Sequence, residues 1–251
     1  MEFQRGMWAE AWVQSVVARN FVALAVTGDM ALRMSAEWFE FSVSVVFASA
    51  ELFAATLLWS CLAYVVHAQI LSPRDLKFTT TIARVIGFAL RSFGIVIVIG
   101  AVVALVTFIL AKLFVTGSPV VVEFYFMLAA IVLGFPLFIW LATLLPAYVA
   151  GRAGGVNAAV ERGKSHFGWI AGRLLVGPCL VFVLSVALYL LLPFPNDSIG
   201  PFWNEQKVLL PLNVLGSLLF NIVLAFVTAL TAVILSRAFL REEGMPDAAV
   251  A

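Results

Sequence analysis

Four stretches of this chain, 92–111, 124–151, 174–196 and 208–236, each run for at least 20 residues without a charged side chain. A helix needs about 20 apolar residues to cross the roughly 30 Å hydrocarbon core of a bilayer. A fifth stretch, 41–71, contains one charge, Glu51. The 251 residues are 63% hydrophobic and 12% charged. A soluble domain averages about 45–50% apolar and 25% charged residues, so this much apolar surface has no polar coat to hide beneath. The expected fold class is therefore all-α: a polytopic membrane protein. Gly134 and Pro136 fall inside one apolar run, and the lost backbone hydrogen bond at proline predicts a bend there.

A sixth segment, 20–38, carries Asp29 and Arg33. Each charge at mid-helix costs about 2.5–3.5 kcal/mol on an insertion scale, which the surrounding Leu, Val, Ala and Phe barely offset. Spaced four apart, the two share a helix face and can pair. Hydropathy alone leaves the segment undecided between a span and an interfacial helix. A long-range period decides for a span. Arg19-Asn20-Phe21, Arg91-Ser92-Phe93-Gly94 and Lys164-Ser165-His166-Phe167-Gly168 each stand before an apolar run. Their cations lie 72 and 73 residues apart, and Pro73 and Pro146 are also 73 apart. A fixed long period marks a repeated structural unit, here a surface helix, a span out, a turn and a span back. The competing explanation is that basic residues precede spans on one side of any membrane protein. Three units give six transmembrane helices in three hairpins, at about 20–38, 41–71, 92–114, 121–150, 172–194 and 208–236. They form one domain, 1–241, followed by a short tail, 242–251.

Charge placement orients this bundle. Arg74, Lys77, Arg84 and Arg91 fill one connection, and Arg152, Arg162, Lys164 and Arg173 another; Arg237 and Arg241 follow the last run. The opposite connections mix Glu37, Glu40, Lys112, Glu123, Asp197, Glu205 and Lys207. An excess of Lys and Arg marks the cytoplasmic side, which puts both termini there. Trp8, Trp12 and Trp169 fall at the inner boundary, and Trp38 and Trp203 at the outer one, as an aromatic belt requires. The basic stretches 74–91 and 152–173 read as cytoplasmic interfacial helices lying in the headgroup plane. Phe78, Ile82, Val85 and Ala89 line the apolar face of the first, and Val156, Val160, Gly163 and Phe167 that of the second. Membrane lipids are the expected partners, with another membrane protein or a second copy of the chain as the protein alternatives. A net charge of +1 points to no nucleic acid. The start, MEFQRGMWAEAWVQ, lacks the basic head and small-residue cleavage site of a signal peptide, so the expectation is that the whole sequence belongs to the mature protein.

Residues 145–177, LPAYVAGRAGGVNAAVERGKSHFGWIAGRLLVG, resemble the YciC-type bacterial inner-membrane proteins and the related membrane region of glycerophosphoryl diester phosphodiesterases. The elements that carry the likeness are Pro146 at a span end, the turn Gly151 to Gly155, Ala158-Ala159 and Lys164-Ser165. Arg19-Asn20 before the first span also fits. The resemblance implies a bacterial inner-membrane location and a multi-span fold. Only ten residues follow Arg241, so it implies no hydrolase barrel and no hydrolase activity.

No metalloprotease, serine-hydrolase, P-loop or dinucleotide motif occurs. Cys61 and Cys179 read as small buried hydrophobes. His67 and His166 stand in no metal-ligand spacing. Neither a metal nor a cofactor is expected. Gly168 and Gly172 form a GxxxG, read as a close-packing site or, alternatively, a dimer motif. The one polar constellation within spans is Asp29, Arg33 and Glu51. Ionisable residues inside a membrane face a protein interior or a water-filled cavity, so the three are either an ion-pair network that fixes helix packing or a polar vestibule for a proton or small solute. The leading expectation is a non-catalytic scaffold or accessory protein; the alternative is a small-solute or proton-linked transporter using this cluster.

Overall fold

The computed structural model describes residues 2–39, 45–71, 82–114, 119–152, 155–191, 201–204 and 206–243. Apart from one isolated bridge between Trp203 and Leu209, the regular structure of these residues is helical. The helices are α1 (Glu2–Val17), α2 (Arg19–Trp38), α3 (Val45–Leu71), α4 (Ile82–Leu113), α5 (Pro119–Ala129), α6 (Phe135–Ala142), α7 (Leu144–Val149), α8 (Gly155–Ser165), α9 (Phe167–Leu174), α10 (Leu180–Leu191) and α11 (Pro211–Glu242). Among the described residues, five continuous segments are long and apolar enough to cross a membrane, and a sixth is reached if α1 and α2, bent by 78° at their junction, count as one. The all-α polytopic fold class holds. The expected spans 41–71 and 92–114 overlap α3 and α4. The first residues of the former, 41–44, and the connection 72–81, with Arg74, Lys77 and Phe78, lie outside the described residues. So do 192–200, with Asp197, and most of the short tail.

Two prolines sit within spans without breaking them. Pro136 follows a π turn at Ala130–Gly134, and Pro178 lies inside another at Leu175–Cys179. Phe135 N–H bonds the Ala130 carbonyl, a wider loop that absorbs an extra residue where proline has no donor to give. The bend expected at Pro136 is thus a local widening of one continuous span, Pro119–Val149. Gly134 is there because α4 runs close: a Cβ on it would meet Val103 Cγ2 at 3.2 Å.

α11 is the central helix. It touches α1, α2, α3, α7, α9 and α10, and its buried side chains include Asn213, Ser217, Asn221, Ala225, Ala229, Ala232 and Ser236. Small residues let backbones approach where lipid supplies no hydrophobic drive between helices. The helix starts later and ends later than the expected span 208–236. Residues 208–210 belong to a short antiparallel turn in which Leu210 N–H bonds the Phe202 carbonyl at 2.8 Å. At the far end α11 continues through Arg237 and Arg241 to Glu242.

The basic end of the bundle departs from the expected picture in three places. First, 82–91 is not a separate surface helix but the opening turns of α4, which runs unbroken for 32 residues. Second, α8 is docked rather than floating. Its buried residues are Ala159, Arg162 and Gly163, while Val156 is 55% exposed. Gly163 lies so close to α6 that a Cβ would come within 2.5 Å of Trp140 Cα, and Thr143 donates to the Ala159 carbonyl at 2.9 Å. Of the expected apolar stripe, Gly163 is the residue that meets the α6 backbone, with Ala159 and Arg162 buried beside it. Third, a Cβ added at Gly168 or Gly172 would meet nothing within 4 Å, so this GxxxG packs against no other helix among the described residues. Cys61 and Cys179 are free and half-buried rather than fully buried. A helix, a one-residue break and a following helix occur at α1–α2, with the break at Ala18, and at α8–α9, with the break at His166; α4 has no such break.

Candidate functional site

The polar cluster expected from sequence is partly assembled. Asp29 is 2% exposed on α2, and Arg33 Nε lies 3.2 Å from its Oδ2. That is ion-pair distance without hydrogen-bond alignment, for the same oxygen has no hydrogen-bond partner. Glu51 stands apart on α3, half-buried and in no ion pair with Asp29 or Arg33 among the described residues. The residue that joins the group electrostatically is Glu37, which feels both Arg33 and Glu51. Its Oε2 accepts the Phe202 N–H at 2.5 Å. Around it Trp203 Nε1 donates to the Met34 carbonyl at 3.2 Å, Lys207 Nζ to the Trp38 carbonyl at 3.0 Å, and the Trp38 and Trp203 rings meet edge to face at 4.7 Å. The loop before α11 therefore caps the end of α2.

That cap sets the register between α2 and α11. Asn213 Nδ2 donates to the Pro201 carbonyl at 2.7 Å, one residue from the partner of Glu37. Glu37 and Asn213 thus sit at one level. At about 1.5 Å per residue, Arg33 and Ser217 lie roughly 6 Å further in, and Asp29 and Asn221 roughly 12 Å. Asp29 Oδ2, Ser217 Oγ and Asn221 Oδ1 are all buried without a hydrogen-bond partner among the described residues. Buried polar atoms are normally satisfied, so three such atoms on α2 and α11, which pack together, set this seam apart. Asn213, Ser217 and Asn221 are not among the residues expected from sequence. They carry no charge and so do not stand out in an apolar run; their spacing of four on one helix face is the signal that marks them.

The opposite, basic end carries a second polar centre. Arg237 of α11 grips Glu10 of α1 with Nη2 at 2.7 Å and Nε at 3.2 Å, both side chains being 14% exposed. One residue earlier, Ser236 Oγ meets His67 Nδ1 of α3 at 2.6 Å in full burial. Further along, Glu242 bonds His166 Nε2 at 2.7 Å and Ser165 at 3.3 Å, and Glu243 pairs with Arg152. Trp169 lies between two guanidinium groups, Arg173 at 3.9 Å and Arg241 at 4.7 Å from its ring centre. Arg162 is buried over the Phe239 ring at 5.5 Å; burial lowers its pKa from the ordinary value, and Glu242 acts in the opposite sense. One stretch, 236–243, from the end of α11 to the residue that caps it, fastens α1, α3, α8, α9 and the 152 turn. Glu10 and Arg237 are 227 residues apart, a pairing that no local pattern announces.

Two hollows flank this clasp. A cleft of about 510 Å³ is lined by Arg84, Arg91 and Arg152 with Tyr64, Tyr148 and Leu144 among its walls. A more apolar groove of about 640 Å³ runs along Val102, Val132, Leu137 and Phe167 to Lys164. The described residues hold no group of three or more His, Cys, Asp or Glu side chains arranged for a metal ion. Compared with protein-family models, curated proteins and solved structures, the chain matches none. The likeness to YciC-type proteins therefore rests on the residues quoted for it alone.

Proposed function

We propose that this chain is a non-catalytic protein of a bacterial inner membrane, with both termini cytoplasmic, acting as a scaffold or accessory component through lipid or protein contacts. A YciC-type kinship and a threefold helix–span–turn–span unit belong to the same proposal. The observation that carries it is the clasp at the basic end. Two short helices, α1, bent by 78° from α2, and α8, packed on α6, are fastened to 236–243 by Glu10–Arg237, Ser165/His166–Glu242 and Arg152–Glu243. Such an arrangement makes a fixed, cation-rich face at the level where anionic lipid headgroups and cytosolic partners meet a membrane protein. The two flanking hollows, one basic and one apolar with a lysine at its rim, suit lipid contact. Proteoliposomes containing the purified protein should then hold an imposed proton gradient as long as empty ones. The second reading, a proton-linked or small-solute transporter, is favoured by the unsatisfied atoms of Asp29, Ser217 and Asn221. Its signature is a leak in those proteoliposomes that Asp29→Asn or Glu51→Gln abolishes, and that result would replace the scaffold reading. Reporter fusions at 38, 117, 200 and 251 test the orientation: a periplasmic signal at 251 rules it out.

A further inference from the structure

The cleft of Arg84, Arg91 and Arg152 has features of a built recognition site. Arg91 is pre-positioned. Its guanidinium stacks 3.9 Å over the Tyr148 ring and its Nη1 donates to the Gly87 carbonyl at 2.8 Å. Gly87 is what admits Tyr148, because a Cβ there would stand 2.3 Å from the tyrosine oxygen. Arg152 is held from behind by Glu243. Arg84 is exposed at the mouth. The turn leading into α8 completes the wall with Gly151 and Gly155, both at positive φ, 69° and 59°. Gly155 opens an eleven-residue helix whose first N–H groups favour an anion.

The depth of the cleft follows from the sequence. Arg91 immediately precedes the charge-free run 92–111 and Arg152 immediately follows the run 124–151. Both therefore mark one edge of the hydrocarbon core. The floor below them is apolar, made by Tyr64, Leu144 and Ala147. Three guanidinium groups, one of them offset by Glu243, leave a net positive cleft that would repel a cationic headgroup. Guanidinium forks suit phosphate oxygens, and an apolar floor at the core boundary suits the glycerol and acyl portion of a lipid. We infer that this cleft binds the phosphate of an anionic glycerophospholipid whose headgroup carries no amine. The inference rests on the lipid-contact reading of the protein and names its ligand class and place.

The test uses the full-length protein in detergent, with native mass spectrometry to count retained lipids and thermal melts to check folding. Phosphatidylglycerol and phosphatidylcholine are titrated separately, and inorganic phosphate and glycerol phosphate are added as competitors. Arg84→Gln/Arg91→Gln should weaken phosphatidylglycerol retention on the order of a hundredfold, as losing two charge-assisted contacts of about tenfold each does, and leave phosphatidylcholine unchanged. Lys112→Gln, in the last turn of α4 and away from the cleft, should change neither. If the double variant melts early, the single Arg84→Gln change is used, expected to show the same loss in smaller measure. Wild-type preference for phosphatidylglycerol that survives in the cleft variants would overturn this site while sparing the lipid-contact reading. Displacement of the lipid by millimolar inorganic phosphate would reassign the cleft to a free phosphate compound. No preference between the two lipids in the wild-type protein would sink both the site and the lipid-contact reading.

Discussion

α4 and α11 are both 32 residues long and both apolar enough to cross a membrane, yet their surroundings are opposite. In the most apolar part of α11, 44% of residues are buried inside the protein; in α4, 17% are. Hydropathy does not separate them, because lipid tails are as apolar as a protein core. Side-chain size and polarity do. α4 turns Ile97, Leu105, Phe108 and Ile109 outward, whereas α11 buries alanines, serines and asparagines. In water the largest apolar residues mark the inside. Here small and weakly polar residues mark it as well, beside the buried Leu230, Ile234, Leu235 and Phe239 of α11, since close approach and hydrogen bonds help hold helices together in a bilayer.

The contrast is open to direct attack, beginning where the largest effect is expected. Arg237→Ala leaves Glu10 without its partner at the α11 clasp. Breaking one side of a buried ion pair costs about 3–5 kcal/mol, while replacing both sides by apolar residues can be neutral. With each side chain 14% exposed, the lower part of that range is expected, and Glu10→Leu/Arg237→Leu should recover most of the loss in thermal melts. Lys112→Ala on α4, where the ammonium lies 5.6 Å from the centre of the Phe108 ring, should be close to silent. Equal losses at Arg237 and Lys112 would erase the distinction between the two helices.

Overpacking comes next. Ala229 of α11 is fully buried and Ala104 of α4 is exposed. Ala229→Leu should destabilise by about 1–3 kcal/mol, the usual penalty for added methylenes in a filled core. Ala104→Leu should leave the melting temperature in place, its side chain extending into lipid. A double-mutant cycle on His67 and Ser236 probes a subtler term. Coupling between hydrogen-bonded side chains in membrane proteins averages about 0.6 kcal/mol and reaches about 1.7. Full burial of this pair at 2.6 Å favours the upper half, and a coupling near zero would show that α11 is held by packing alone. The smallest effect is expected at Gly100 on α4, where no atom lies within 4 Å of an added Cβ. Gly100→Ala should be neutral or raise stability by up to about 1 kcal/mol through helix propensity. Marked destabilisation there would mean that α4 is covered by a partner in its working state.

The candidate sites are legible in the sequence to different degrees. Asp29 and Arg33 announce themselves, because two charges four apart inside an apolar segment can be tolerated only by pairing. Depth alone groups Glu51 with them, and depth says nothing about rotation around the helix axis. Glu37, which the sequence places in a surface connection, is the acid that meets the loop before α11. The apolar stripe of 152–173 contains both Gly163, which is buried against α6, and Val156, which is 55% exposed. Periodicity does not say which part of such a stripe meets protein; the backbone of α6 makes Gly163 the contact.

By itself the sequence determined that this chain carries several helices apolar enough to span a membrane, where their charge-free runs lie, and which ends of those runs are flanked by Lys and Arg. These follow from the free energy of moving residues between water and hydrocarbon, a property of each residue and its near neighbours. Tertiary structure decided that the last helix is the centre, that Glu10 finds Arg237, that α8 docks through Gly163, and that two arginines of α4 share one cleft with Arg152. Each of these depends on the rotation and approach of helices distant in sequence. Lipid hydropathy is indifferent to rotation, so steric fit and pairing of polar groups had to choose it.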